Sequence, residues 1–315
     1  MNRNYPFGWG SNTDVTFAAR GSGPGSEPEV KNTMAIVEQH QVVDLVTNHT
    51  NEHAIFYPPV DLASGATPDL NMGYQAAAQG LAGATNDGYT NVRASADDYE
   101  TSAETIDWSY YATRGLAFTF EVVGAAADCN QTSSTSKSPS SPNYANCTVP
   151  DYTGTPGPTS TPGETTAFGG HPLRNAYYLA LVYASLGRGH SVLNGVAPPG
   201  TTLTVQKNFS LYTAPIQQNT TPPSSLPPEA IPTQLTSTMV VPRNGYFRWD
   251  VNPSVRPTPA FRADGEHTGP SGFLPETWTL TCSTPHSGTH RITVTIDKGQ
   301  RTWLPACPSW PRVRG

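Results

Sequence analysis

Four short patterns in the first 124 residues carry side chains with usable chemistry. Asn2-Arg3-Asn4-Tyr5 precedes a turn at Gly8-Trp9-Gly10 and sets an arginine among amide side chains. An arginine fork binds a carboxylate through two parallel hydrogen bonds; the plainer alternative is a solvated surface arginine. His49 follows the apolar run Val42–Val46 directly. That places it at the carboxyl end of a parallel strand, where open α/β sheets set their sites. An imidazole there is either a metal ligand or a structural residue. Glu121 stands at the end of the alternating run Leu116–Val122, one residue before its last, on the face opposite Phe118 and Phe120. A carboxylate in apolar surroundings has its pKa raised and suits a general base, unless an arginine or a backbone amide neutralises it. Tyr99 sits in the polar stretch Asp97-Asp98-Tyr99-Glu100, as a phenol on a loop or simply as an exposed tyrosine.

Alternating helical and extended patterns position these residues. Ser26-Glu27-Pro28-Glu29 reads as a helix start, with Ser26 as cap, acids in the first turn and Pro tolerated there. The helix is expected to run to about Gln39. Val42–Val46 has the apolar, β-branched character of a buried parallel strand. A second helix is expected over Thr105–Arg114, stopped by Gly115. In the strand that follows, a period of two puts Leu116, Phe118, Phe120 and Val122 on one face and Ala117, Thr119 and Glu121 on the other. A further helix is expected over Leu173–Leu186, with Pro172 at its start and Gly187 past its end.

Residues 125–168 are rich in Ser, Thr, Pro and Gly and read as an exposed insertion. From His190 the pattern is all-β, with strands at Thr201–Lys207, Tyr246–Val251, Thr277–Thr281 and Arg291–Ile296 between Gly- and Pro-rich turns. The segment Ala214–Pro232 is a Pro-rich excursion. A β-sandwich of about 120 residues fits this spacing. The division is therefore 1–188 for the α/β part and 190–315 for the sandwich.

Bulk composition agrees. Charged residues make up 13% and the net charge is -6, which excludes the basic excess of a nucleic-acid binder. Gly (28) and Pro (31) together approach a fifth of the chain, which favours loops and short strands over a helical bundle. No apolar run reaches the roughly 20 residues that span a bilayer. The four cysteines form two sequence-local pairs, Cys129/Cys147 and Cys282/Cys307, without Cys-x-x-Cys spacing. Two disulfides in a secreted or extracellular protein are the expectation, although whether each pair is bonded stays open.

Taken together, the patterns resemble the zinc metallocarboxypeptidases of the carboxypeptidase A family. Asn2-Arg3-Asn4-Tyr5 is similar to the family's Asn-Arg-Asn-aromatic motif, and Ser26-Glu27-Pro28-Glu29 to its Ser-Glu-x-Glu helix start. His49 followed by Tyr57-Pro58 resembles the third zinc ligand and its trailing strand. Tyr99, Ile106-Asp107-Trp108 and Phe118-Thr119-Phe120-Glu121 match the spacing from substrate-capping tyrosine to catalytic glutamate. The resemblance implies a partial mixed-sheet, phosphorylase/hydrolase-like α/β domain followed by the all-β sandwich. It implies removal of C-terminal residues from peptides with one Zn²⁺, which would polarise the scissile carbonyl and acidify a water. Glu121 would be the general base, Asn2 and Arg3 the clamp on the terminal carboxylate, and Tyr99 the cap. Ile106 would lie at the base of the side-chain pocket, which favours apolar or aromatic C-terminal residues. His49 would be one of three zinc ligands.

The family's His-x-x-Glu ligand pair lies ahead of the Asn-Arg motif, and here only Met1 precedes Asn2. The chain is therefore expected to be the C-terminal half of the catalytic domain, inactive as it stands. Three arrangements follow: a truncated secreted peptidase, a protein completed by a separately encoded N-terminal half, and a non-catalytic remnant whose sandwich binds a surface or partner.

Overall fold

A computed structural model describes residues 2–11, 20–49, 54–61, 64, 67–70, 73–85, 89, 91–121, 172–258, 261, 272–284, 288–309 and 311–312. The expected insertion at 125–168 and the Cys129/Cys147 pair lie outside these residues.

The first part contains α1 (Pro28–Gln39), β1 (Asp44–His49), β2 (Ala54–Tyr57), α2 (Tyr74–Thr85), β3 (Asn91–Ala94), α3 (Thr105–Thr113), β4 (Leu116–Glu121) and α4 (Pro172–Leu186). Its sheet has the order β1-β4-β2-β3. β1 runs parallel to β4, β4 antiparallel to β2, and β2 parallel to β3. The strand expected at Val42–Val46 begins two residues later and extends through His49, so that His49 is its last residue. β4 lies between two neighbours and is buried along both faces up to Glu121, so the alternation read in its sequence does not mark a wet face. Tyr74 ties α2 to this strand, because its hydroxyl accepts from the Ala117 N–H and donates to the Ala117 carbonyl at 2.8 Å.

Two helix ends differ from the sequence reading. The residue that caps α1 is Glu27, not Ser26, and the orphan Glu27 N–H is taken by Asn4 Oδ1 at 3.0 Å. Helix α3 ends on Arg114, which adopts the left-handed conformation itself (φ 56°) where Gly115 was expected to. A side chain in that region is uncommon and strained. The Arg114 guanidinium offsets the strain, since it grips Asp69 through Nε (2.9 Å) and Nη2 (3.1 Å) and also bonds Asp297. Every residue of α3 is buried, so it lacks the polar stripe of a surface helix.

The second part contains β5 (Ser191–Val196), β6 (Thr202–Tyr212), β7 (Ile216–Gln218), β8 (Ser224–Leu226), β9 (Ala230–Val240), β10 (Tyr246–Val251), β11 (Arg256–Pro257), β12 (Phe273–Leu274), β13 (Trp278–Thr284), β14 (Gly288–Val294) and β15 (Arg301–Trp303). A three-stranded sheet β10-β5-β15 and a four-stranded sheet β14-β13-β6-β9 share one core, in which Leu193, Phe247 and Val251 meet Leu203, Trp278 and Leu280. The Pro-rich excursion is a short β7–β8 hairpin. Cys282 and Cys307 form the expected disulfide.

The two parts meet across buried charge. Arg256, 1% exposed, forks onto Glu276 at 2.8 and 3.0 Å and donates to the Tyr111 carbonyl at the end of α3. Lys207 joins Glu276 at 3.3 Å and donates to the Ser254 carbonyl at 3.0 Å. Arg114, Asp69 and Asp297 form a second such cluster.

Candidate active site

The parallel register of β1 and β4 sets His49 directly beside Glu121 at the carboxyl ends of both strands. His49 Nδ1 lies 3.7 Å from Glu121 Oε1. The pairing follows from register, since the two six-residue parallel strands end together, β1 on His49 and β4 on Glu121.

Asn2 completes this corner. Its Oδ1 accepts from the Thr105 N–H at 2.9 Å and the Thr105 hydroxyl at 2.8 Å, which makes it the cap of α3. An amide whose oxygen is so engaged presents its NH₂ on the other side, and Asn2 Nδ2 lies 3.1 Å from His49 Nε2. Nε2 therefore accepts, and the ring proton sits on Nδ1, toward Glu121. Burial pushes the His49 imidazole below its ordinary pKa; Glu104 pulls it up and Arg3 pushes it further down. A neutral ring agrees with this hydrogen bonding.

Arg3 stands next to it. One guanidinium nitrogen lies 2.7 Å from Glu104 Oε1, and the other donates to the Tyr99 hydroxyl at 3.1 Å. Glu104 is buried, and the same Oε1 also accepts from the Thr101 hydroxyl at 2.6 Å. Tyr99 is half exposed. The fork thus holds a buried acid on one nitrogen and a half-exposed phenol on the other. Asn4 does not face this corner. It is fully buried, and its amide ties the Arg20 and Gly23 carbonyls and the Ser26 hydroxyl together. Ile106 has no exposed surface and packs with Val60 and Ala117, next to Thr105.

The structure brings Asn2, Arg3, His49, Tyr99 and Glu121 to one end of the sheet, whereas Ile106 is sealed in a separate small cluster with Val60 and Ala117. Sequence reasoning missed Glu104 and Thr105. An acid and a threonine before a helical pattern look like ordinary helix-start residues, and nothing local shows that their partners lie about 100 positions away.

The fit to zinc is incomplete. Protein zinc sites use three or four ligands. Among the described residues no three His, Cys, Asp or Glu side chains converge as a metal-holding group. The corner supplies one imidazole and one neighbouring carboxylate, which do not hold zinc by themselves. It does supply a carboxylate poised next to a neutral imidazole and a cationic fork backed by a buried acid.

The zinc carboxypeptidase family model matches residues 1–133. This part of the chain is similar to the zinc carboxypeptidase family. Among solved structures, carboxypeptidase A from Helicoverpa armigera is 19% identical, with 39% of this chain and 32% of that one covered and a TM-score of 0.34. Bovine thrombin-activatable fibrinolysis inhibitor, in complex with tick carboxypeptidase inhibitor, is 20% identical, with 38% and 44% covered and a TM-score of 0.34. The chain thus spans 32% to 44% of the length of these proteins. No curated protein matches it. Among the described residues no helix is long and apolar enough to cross a membrane.

Proposed function

We propose that the chain carries the substrate-clamping and proton-accepting side of a zinc-dependent carboxypeptidase. The observation that carries this reading is the in-register pair His49 and Glu121, with Arg3 and Tyr99 at the same end of the sheet. Glu121 is the base that takes a proton from the attacking water. Arg3 receives the substrate's terminal carboxylate once the Tyr99 hydroxyl moves off it. Tyr99 then closes over the terminal residue, and Asn2 orients His49. The apolar Ile106, packed with Val60 and Ala117 beside Thr105, supports a preference for apolar or aromatic C-terminal residues only through the shape it gives the site from below the surface. When bound, zinc would supply Lewis-acid chemistry. His49 would be one ligand through Nε2 once the Asn2 amide leaves it, and the others would come from residues beyond those described, in the same chain or in a separate polypeptide.

The bonded pair Cys282 and Cys307 supports an extracytoplasmic location. We read residues 190–315 as a β-sandwich domain packed on the peptidase part, 1–188. A second reading is a secreted binding or attachment module without catalysis, since among the described residues no group of three metal-ligating side chains converges.

Zinc content and release of C-terminal Phe or Leu from a short peptide test the proposal. The chain alone should hold no stoichiometric zinc and release nothing. With a two-ligand zinc-binding segment supplied in cis or in trans, turnover should appear, and Glu121→Gln should abolish it with zinc retained. Turnover of that variant close to its parent's would remove Glu121 from the base role. Failure to gain zinc or turnover under any completion would favour the binding-module reading.

A further inference from the structure

A cavity of about 340 Å³ lies between α2, α4 and the start of β4. Its lining includes Tyr74, Leu116, Tyr183, Leu186, Arg188 and Lys298. Leu116 is the first residue of β4 and Glu121 the last, so the cavity lies about 17 Å along the strand from the candidate active site. It is a separate place in the molecule.

Lys298 sets its chemistry. The side chain is only 9% exposed. Its nearest carboxylate oxygen is Asp69 Oδ2 at 3.8 Å, beyond hydrogen-bond reach. Asp69 is already committed: Oδ1 accepts from Arg114 Nη2, and Oδ2 accepts from Arg114 Nε at 2.9 Å and the Tyr110 hydroxyl at 3.0 Å. No side-chain hydrogen bond of Lys298 is found among the described residues. Asp44, on the neighbouring strand, is a weak counter-charge, because burial pushes its carboxyl up to about 7 against the pull of the Leu45 amide and Lys298. The ammonium lies 5.5 Å from the centroid of the Tyr74 ring, and its three N–H donors are open to an acceptor in the cavity. Burial lowers Lys298 to about 8, so most of it remains charged at neutral pH.

Around this cation the walls are largely apolar: the Leu116 and Leu186 side chains and the ring of Tyr74. Arg188, exposed at the surface, adds a second positive charge. An anion with an apolar body matches this distribution. A phosphate does not, since it needs many donors and gains nothing from hydrocarbon walls. A free amino acid fits less well, because its own ammonium would sit beside Lys298.

We propose that this cavity is a binding site for a small monocarboxylate with a branched or aromatic tail, its carboxylate on Lys298 and its tail against Leu116 and Leu186. The site is independent of the peptidase reading.

The test is titration of the full chain with 4-methylpentanoate, followed by calorimetry and ligand-observed NMR. Saturable binding with a dissociation constant on the order of 1 mM is expected. The uncharged 4-methylpentanamide and zwitterionic leucine should each bind at least about tenfold more weakly. Lys298→Met should lose the carboxylate by a similar factor. If that variant fails to fold, the comparison of acid with amide on the unaltered chain decides, supported by a smaller loss in Arg188→Gln. No saturable binding of the acid, equal binding of the amide, or unchanged binding by a folded Lys298→Met variant would each overturn the proposal.

Discussion

Asn2 Oδ1 accepts two hydrogen bonds from Thr105, 103 residues further along the chain. Helix α3 has no side-chain cap of its own, since Glu104 at its N-cap makes no capping bond. The cap comes from the chain's second residue, and the same amide reaches His49. Loss of an N-cap acceptor costs about 1 kcal/mol. Asn2→Ala is therefore expected to destabilise the protein by about that amount in urea unfolding. An unchanged midpoint would show that Thr105 finds another acceptor.

Tyr74 satisfies both backbone groups of Ala117 inside the sheet. Tyr74→Phe keeps the ring and removes the oxygen. It leaves a buried N–H and carbonyl unpaired, at a cost of roughly 1–3 kcal/mol. Thermal unfolding should show this loss, and amide exchange at Ala117 should accelerate. An exchange rate equal to the parent's would mean that the strand does not depend on the phenol.

Arg256 is buried between Glu276 and the Tyr111 carbonyl. Arg256→Met removes three donated bonds and leaves Glu276 with Lys207 alone. Breaking one side of a buried pair costs about 3 kcal/mol, and somewhat less here because Glu276 keeps partial solvent contact. Chemical denaturation measures it. A loss below about 0.5 kcal/mol would place the pair among ordinary surface bridges.

Lys207 gives a pH signature. Burial pushes its ammonium down to about 7, against the pull of Glu276 and with a push from Arg256. An unfolded lysine titrates near 10.5. Between these values the unfolded state binds more protons, so stability rises with pH through this group and is flat in it below about pH 7. The slope approaches about 1.4 kcal/mol per pH unit. The stability difference between the parent and Lys207→Met, followed from pH 7 to 9, isolates it from Lys298, which shifts in the same direction. A difference independent of pH would mean that Lys207 keeps its ordinary pKa when folded.

The residues at the site corner were legible because each sits at the end of a pattern. His49 closes an apolar run, Glu121 an alternating one, and Arg3 stands in a polar cluster before a glycine turn. The partnerships that give them geometry were not legible. Asn4 reads like Asn2 in sequence, yet one knots three loops and the other caps a helix and holds a ring. Helix α2, Tyr-Gln-Ala-Ala-Ala-Gln-Gly-Leu-Ala-Gly-Ala-Thr, escaped because two glycines and a run of alanines weaken its periodicity. Its helical state comes from packing on α4 and on the sheet. Arg114 escaped for a related reason: a bulky residue takes a left-handed turn only when something distant holds its side chain, and that partner is 183 positions away.

That arginine also bears on how the molecule is made. Asp69, Arg114 and Asp297 form one cluster, and the third member lies near the end of the sequence. On a ribosome, the helix under the site corner emerges long before Asp297 does. Until then Arg114 has only half its anchorage, and its left-handed turn is poorly defended. Chains are commonly completed in order of synthesis; here the turn after α3 gains its last anchor only once Asp297 has been made.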